Sequence, residues 1–133
     1  MKFSFSQDFY PPAPSVSIRI ALPEERPFPD VFTALLDTGS DGTIFSLQVL
    51  QVLDPPLLYT TKVRGISGPK RELPVFQIDI LFDQLRISNN FVIGDDQGED
   101  ILIGRNLLNK LVLLLDGPNA QTDLYETRPK IRP

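Results

Sequence analysis

The sequence predicts a mostly β fold, a closed barrel or a sandwich with one or two short helices. Two observations lead to this prediction. Short segments in which apolar and polar residues alternate show the period of two that is typical of strands. Turn-forming Gly, Pro, Asn and Asp residues separate these segments about every 8 to 12 positions, a spacing that all-β domains share. The 133 residues are 41% hydrophobic, so we expect one domain over residues 1–133, with a proline-rich arm at 1–15 and a tail at 127–133.

The first half of the chain holds two strand signals and one helix signal. Six prolines within residues 1–30 make a helix there unfavourable. Within that stretch, residues 16–22 alternate as a half-buried strand does. Residues 31–36 are apolar in character throughout, with Thr33 as the one polar residue, which predicts a strand buried on both faces. Ser46 is the expected N-cap of a helix from residue 47 to about residue 53, which Asp54-Pro55-Pro56 would end.

The second half alternates strand signals with turns. A hairpin with a glycine-containing tip is expected first, and a second hairpin turns at Asp83-Gln84. The elements expected along this half are strands at 57–64, 72–82 and 85–93, an acidic loop at 94–100, a short strand at 101–103, a helix at 105–110, and a closing hairpin of 111–116 with 121–126.

Composition excludes several kinds of chemistry. The sequence contains no His and no Cys. This removes the Ser-His triad, the Cys nucleophile, thiolate zinc sites and His-ligated metals, and leaves carboxylates, hydroxyls, lysines or oxygen-ligated ions for hydrolytic chemistry. We expect neither a metal nor a cofactor. A net charge of −4 argues against nucleic acid as a partner, because phosphate-backbone binders need clustered Lys and Arg.

No membrane segment is expected either. The longest apolar run covers only residues 111–115, whereas a membrane-spanning helix needs about 20 apolar residues. The N-terminus lacks the apolar core of a signal peptide. We therefore expect a cytoplasmic protein without a membrane partner.

Asp37 is the candidate for chemistry. It ends an apolar run and is followed by Thr38, Gly39 and Ser40. A carboxylate next to a core needs hydrogen-bond donors, and the two hydroxyls and nearby backbone N–H groups are the obvious ones. Gly39 lets the backbone turn tightly and approach a ligand. Taken alone, the segment fits a plain turn between strands or a catalytic loop, and both remain open at this point.

Two motifs together give the sequence a family resemblance. Residues 35–40, Leu-Leu-Asp-Thr-Gly-Ser, resemble the active-site loop of aspartic peptidases. Residues 101–108, Ile-Leu-Ile-Gly-Arg-Asn-Leu-Leu, resemble the later signature of the retroviral-type, or retropepsin-like, members. The resemblance covers about residues 16 to 116 and implies a retropepsin-like closed β-barrel that is active as a homodimer.

The resemblance implies an aspartic endopeptidase that cleaves a peptide or protein substrate. Such an enzyme needs two carboxylates that share one proton and one water. The sequence has a single Asp-Thr-Gly, so the second carboxylate is expected from Asp37 of an identical subunit, with the C-terminal hairpin forming much of the interface. Thr38 would bond across the twofold axis, and a Ser40 hydroxyl bonded to Asp37 would shift the activity optimum below neutral.

Further roles follow from the resemblance. Asp41 and Arg105 would form a structural ion pair between the loop and the second motif. Positions around the cleft would contact the substrate, some at the tip of a flap that closes over it. These substrate-binding and flap positions are Asp41, Gly42, Ile44, Gly65, Ile66, Ser67, Gly68 and Leu102.

Other functions are conceivable for the same residues. A haloacid-dehalogenase-type phosphotransfer loop needs an Asp at the position of Gly39. An EF-hand starting at Asp37 would need an oxygen ligand at Gly39 and Glu at Gln48. A catalytically idle retropepsin-like module for dimerisation or peptide binding fits the pattern better and is the main alternative.

Overall fold

The computed structural model describes residues 1–63 and 69–130. These residues form ten strands and two short helices. In chain order they are β1 (Lys2–Ser4), β2 (Ser15–Ala21), β3 (Phe32–Leu36), β4 (Thr43–Ser46), α1 (Leu47–Leu50), β5 (Tyr59–Val63), β6 (Arg71–Phe82), β7 (Leu85–Asp95), β8 (Leu102–Ile103), α2 (Arg105–Leu108), β9 (Val112–Asp116) and β10 (Gln121–Tyr125).

Six of the strands close into a barrel. The sheet runs in the order β2-β3-β8-β4-β7-β6, and a further pairing between β2 and β6 closes it. Within residues 1–63 and 69–130, β5 pairs only with β6 and extends from the barrel wall. Strands account for 49% of the described residues and helices for 6%, which confirms the predicted mostly β barrel with short helices.

Side chains from all around the barrel fill its interior, as expected for a barrel of this size. On β2 the alternation predicted from the sequence holds, since Val16, Ile18 and Ile20 are buried and Ser17 between them is exposed. The other large, fully buried side chains are Phe45, Leu50, Ile78, Ile80, Phe82, Val92, Ile103, Leu107 and Leu124.

Among the predicted elements, β3 and α1 differ most from the structure. β3 is not buried on both faces: only Ala34 is fully buried, and the strand leaves Leu35 and Leu36 half-buried where it approaches the Asp37 loop. Ser46 caps α1 by accepting a hydrogen bond from the N–H of Gln48 (3.2 Å), as predicted. The helix ends at Leu50, however, and the chain continues in turns, so local capping was predicted better than helix length.

A second, three-stranded sheet has the order β1-β10-β9. The sequence did not predict β1, which pairs with β10 and therefore fixes the beginning of the chain to its C-terminal hairpin. In this sheet β9 is an edge strand. Within the described ranges, no helix has the length and apolar character needed to cross a membrane.

Candidate active site

The barrel brings the two sequence motifs side by side. β3 and β8 are parallel neighbours, with Leu35 opposite Leu102 and Leu36 opposite Ile103. The N–H of Asp37 continues this ladder by donating to the carbonyl of Ile103 (2.9 Å). The Asp37 loop therefore begins where β3 ends, supported by the strand of the second motif.

The Asp37 carboxylate is half-buried in the single chain and not enclosed by the core. Its Oδ1 accepts a hydrogen bond from the N–H of Gly39 (3.0 Å), so a backbone donor holds the side chain, as the sequence predicted. The Ser40 hydroxyl does not contribute, because it donates to the carbonyl of Gly42 (2.7 Å). The expected bond from Ser40 to Asp37 is therefore corrected: this hydroxyl stabilises the turn of the loop.

The Asp37 loop lies directly against Gly104, so there is no room for a side chain at this position. A Cβ atom built on Gly104 would lie 2.1 Å from the carbonyl oxygen of Gly42 and 3.0 Å from that of Ser40. The N–H of Arg105 donates to the Ser40 carbonyl (2.8 Å). This close backbone contact requires glycine and fixes the loop against the start of α2.

Thr43 is a supporting residue that the sequence analysis missed. Its buried hydroxyl accepts a hydrogen bond from the N–H of Gly104 (3.1 Å) and donates to Oδ1 of Asn106 (2.7 Å). Asn106 in turn donates to the carbonyl of Phe91 (3.1 Å). The available signal was a hydroxyl at a buried strand position, which must find a partner.

Arg105 joins α2 to the loop in a different way from the one expected. Its Nη1 donates to the carbonyl of Thr38 (3.1 Å). Among the residues that the structure describes, the ion pairs are those of Arg71 with Asp95 and Asp96 and of Arg86 with Asp79. The expected pair of Arg105 with Asp41 is thus absent, because the guanidinium is directed to a backbone carbonyl and Asp41 is exposed.

The Asp37 loop borders a cleft of about 1020 Å³. Eight of the residues that line it come from the two motifs and their flanks, and four come from strands around it. The lining residues are Asp37, Gly39, Ser40, Asp41, Gly42, Ile44, Leu102 and Arg105, together with Thr61, Lys62, Val63 and Ile93.

The cleft therefore includes most of the expected site residues. Thr38 is exposed and does not line it. The expected flap residues 65–68 lie outside the described residues. The place of β5 and Ile93 on the cleft depends on how β5, β6 and β7 pair, so local sequence patterns do not indicate it.

The chemistry available at this site is that of a carboxylate. Within residues 1–63 and 69–130, no three His, Cys, Asp or Glu side chains are grouped as metal ligands would be. Ile44, Ile93 and Leu102 give the cleft apolar walls, and Asp37 gives it a proton acceptor held by one backbone N–H. A cleft that combines apolar side chains with a carboxylate can hold a ligand and exchange a proton with it.

A closed barrel with an Asp-Thr-Gly loop facing a cleft defines an aspartic-protease domain. The family model described as retroviral aspartyl protease matches residues 11–116. The chain belongs to this family. A search of the curated proteins found no match.

Proposed function

We propose that the chain is an aspartic endopeptidase that works as a homodimer. Asp37 and its copy in the second subunit bind one water at the twofold axis. The ionised carboxylate takes a proton from the water while the protonated one polarises the scissile carbonyl, so that the water attacks the carbonyl carbon. The observation that carries the proposal is the position of Asp37, half-buried and facing a cleft with apolar walls.

A second copy is proposed because the reaction needs two carboxylates and the sequence contains one Asp-Thr-Gly. Two carboxylates ~3 Å apart repel each other by roughly 5 kcal/mol at an effective dielectric constant of about 20. The pair avoids this repulsion by keeping one shared proton. An acid and a base are thereby obtained from two identical side chains, and we expect cleavage to be fastest below neutral pH.

The substrate is proposed to lie in the cleft as an extended peptide. Ile44 and Leu102 would contact its apolar side chains from the barrel wall, since both line the cleft and both are half-buried. Thr38, which is exposed, would bond to the second subunit across the axis. Residues 65–68 remain the candidate flap tip.

The edge strand β9 is the proposed centre of the subunit interface. It pairs with β10 on one side only, and Leu114 and Leu115 on it are 53% and 51% exposed. A free edge with exposed apolar residues is a template for strand pairing. Pairing of two β9 strands about a twofold axis would join the three-stranded sheets of both subunits.

Charged residues on this edge are expected to separate the subunits. For the double variant Leu114→Lys and Leu115→Lys we expect the dimer dissociation constant to rise by about 100-fold or more, measured by sedimentation equilibrium. The matched control is Leu57→Lys with Leu58→Lys, two adjacent leucines with 58% and 45% exposure before β5. An unchanged dissociation constant in the β9 variant would remove β9 from the interface.

A cleavage assay tests the proposed activity directly. We expect hydrolysis of an unfolded protein between about pH 3 and 7 that pepstatin, an inhibitor of aspartic peptidases, abolishes. The alternative is an idle module of the same fold that binds peptides without cutting them. A verified dimer that binds peptides in the cleft and cleaves none of them at any of these pH values would favour the idle module.

A further inference from the structure

The β5–β6 stem, which consists of Tyr59–Val63 and residues 71–74, leaves the barrel wall at a fork between β6 and β7. The ladder between β6 and β7 extends only to the pair of Val75 and Ile93. Beyond this pair β6 stays with β5, whereas the end of β7 stays with β4. Among the described residues, no backbone hydrogen bond joins the two branches of the fork. These branches are therefore joined only through their side chains.

Arg71 bridges the fork by contacting two acidic residues. Its Nη2 pairs with Oδ1 of Asp96 and lies 3.9 Å from Oδ1 of Asp95. The side chains of Arg71 and Asp95 are 36% and 25% exposed, so water and salt screen this contact less than a fully exposed one. The neighbouring Glu72 instead accepts a hydrogen bond from the Thr60 hydroxyl (2.7 Å), which lies within the stem. Arg71 is therefore the side chain that connects the stem to the end of β7.

The stem is also part of the wall of the cleft. Its strand β5 contributes Thr61, Lys62 and Val63 to the lining. Ile93, at the branch point of the fork, lines the same cleft. Arg71 lies opposite Val63 in the ladder between β5 and β6, so its ion pairs fix the stem at its cleft-lining end. A shift of this end changes the space that a bound peptide would occupy.

We propose that Arg71 is a positioning residue, whose ion pairs with Asp95 and Asp96 hold the stem where the cleft accepts an extended peptide. The inference rests on the proposed function, because the peptide site is the one proposed there. Arg71 is not among the described residues that line the cleft, so it acts on the substrate through β5. A change at Arg71 therefore alters how much of the protein is ready to bind the peptide, and leaves the chemical step unchanged.

Steady-state kinetics on a peptide without charged side chains test this role. For Arg71→Gln we expect KM to rise about threefold with kcat unchanged, because a partly exposed ion pair shifts an equilibrium only a few-fold. Salt at about 0.5 M is expected to raise the wild-type KM by a similar factor and to leave that of the variant unchanged.

Lys70→Gln is the matched control for these kinetics. Lys70 is exposed, precedes Arg71 directly, and takes part in none of the ion pairs within residues 1–63 and 69–130. Its replacement removes the same charge from the same region, so its KM and the salt dependence of its KM are expected to equal those of the wild type. An equal rise of KM in both variants would overturn the role of the ion pairs.

Exchange of the two charges separates the ion pair from any other role of the Arg71 side chain. Arg71→Asp and Asp96→Arg are each expected to raise KM by about threefold or more, since each places like charges across the fork. The double variant restores opposite charges and is expected to have a lower KM than either single variant. A KM in the double variant that equals or exceeds both single values would contradict the proposal.

A distance measurement tests the stem without any cleavage. The chain contains no cysteine, so Lys62→Cys with Gln97→Cys places spin labels at two exposed positions, on β5 and after β7. Labelled chains are diluted with unlabelled chains so that distances between subunits do not contribute. We expect pulsed electron paramagnetic resonance to give a narrow distance distribution that broadens when Arg71→Gln is added.

The outcomes distinguish the two proposals. An unchanged distance distribution would show that Arg71 does not hold the stem, and if the wild type cleaves peptides the proposed function stands. If the wild type cleaves nothing and the distribution broadens, the proposed function is wrong, while Arg71 still holds the stem. If the wild type cleaves nothing and the distribution is unchanged, both proposals are wrong.

Discussion

Replacement of Asp37 by Asn is expected to lower kcat/KM for peptide cleavage by about 10³-fold or more. The variant homodimer loses both carboxylates of the pair, and an amide can neither accept the proton of the attacking water nor supply one to the scissile carbonyl. The fold is expected to persist, because the amide oxygen can still accept the hydrogen bond that Oδ1 receives from the N–H of Gly39 (3.0 Å). A fluorogenic peptide assay gives kcat/KM, and thermal unfolding of the same sample reports stability.

Asp30→Asn is the matched control for this experiment. Asp30 is exposed and precedes β3 at the end of the strand opposite Asp37. Its replacement makes the same chemical change outside the cleft, so both cleavage and stability are expected to remain at the wild-type level. Full cleavage by the Asp37 variant would contradict the mechanism, and its unfolding would show that Asp37 has a structural role instead.

Asp79→Asn is expected to cost roughly 2 to 4 kcal/mol of unfolding free energy. Asp79 lies on β6 with no exposed surface. Its carboxylate accepts hydrogen bonds from the N–H groups of Glu24 (3.0 Å) and Asn89 (2.8 Å) and from Nε of Arg86 (2.8 Å). An amide can accept at only one of its two atoms, so at least one of these donors would lose its partner inside the protein.

The same network determines a pH dependence of stability. Burial acts to raise the pKa of Asp79, but the hydrogen bonds from Asn89, Glu24 and Arg86, together with the charge of Arg86, outweigh it and hold the pKa below its ordinary value. A carboxyl with a lowered pKa in the folded state contributes its full stabilisation above the unfolded pKa of about 3.9 and loses it as the pH falls through the folded value. We therefore expect stability to decline with acid below about pH 4.

Urea unfolding between about pH 2 and 7 measures both effects. The Asp79 variant is expected to have a lower midpoint at neutral pH and a weaker dependence on acid than the wild type. Asp83→Asn, at the exposed turn between β6 and β7, is the control and is expected to change neither. Equal unfolding free energies for wild type and the Asp79 variant at pH 7 would show that the network adds nothing to stability.

Much of the fold could be predicted from local patterns. Alternation marked β2, and turn residues marked the closing hairpin and the hairpin of β6 and β7, since both signals depend on neighbouring residues alone. The closure of the barrel by β2 and β6 could not be predicted, because strand pairing over a long sequence separation leaves no local signal. β1 was missed for a similar reason: three residues next to a proline-rich stretch become a strand only by pairing with β10.

The burial of Asp79 departs from the regular alternation of β6 and was not predicted from the sequence. In a regular strand over residues 72–82, Ile78 and Ile80 lie on one face and Asp79 lies on the other. The pairing with β7 shifts between Ile78 and Ile80, and Asp79 is buried together with both. The missed signal was chemical, because a carboxylate between apolar residues of a strand has to be paired if it is buried.

The candidate site was predicted at the level of the backbone and less well at the level of side chains. Asp37, Gly42, Ile44 and Leu102 meet at one cleft because two motifs lie on adjacent strands. The hydrogen-bond partners of the Ser40 hydroxyl and of Arg105 differ from the expected carboxylates, because both groups donate to backbone carbonyls of the loop. Each of these contacts depends on the path of the loop. Spacing in the sequence does not determine such a path.

Subunit mixing tests most directly whether two chains share one active site. Wild-type protein is mixed with a threefold excess of the Asp37→Asn variant and allowed to exchange subunits, and cleavage is measured per wild-type chain. If both carboxylates are needed, mixed dimers are inactive, and the activity per wild-type chain is expected to fall to about a quarter. Activity per wild-type chain that stays unchanged after complete exchange would contradict the shared site.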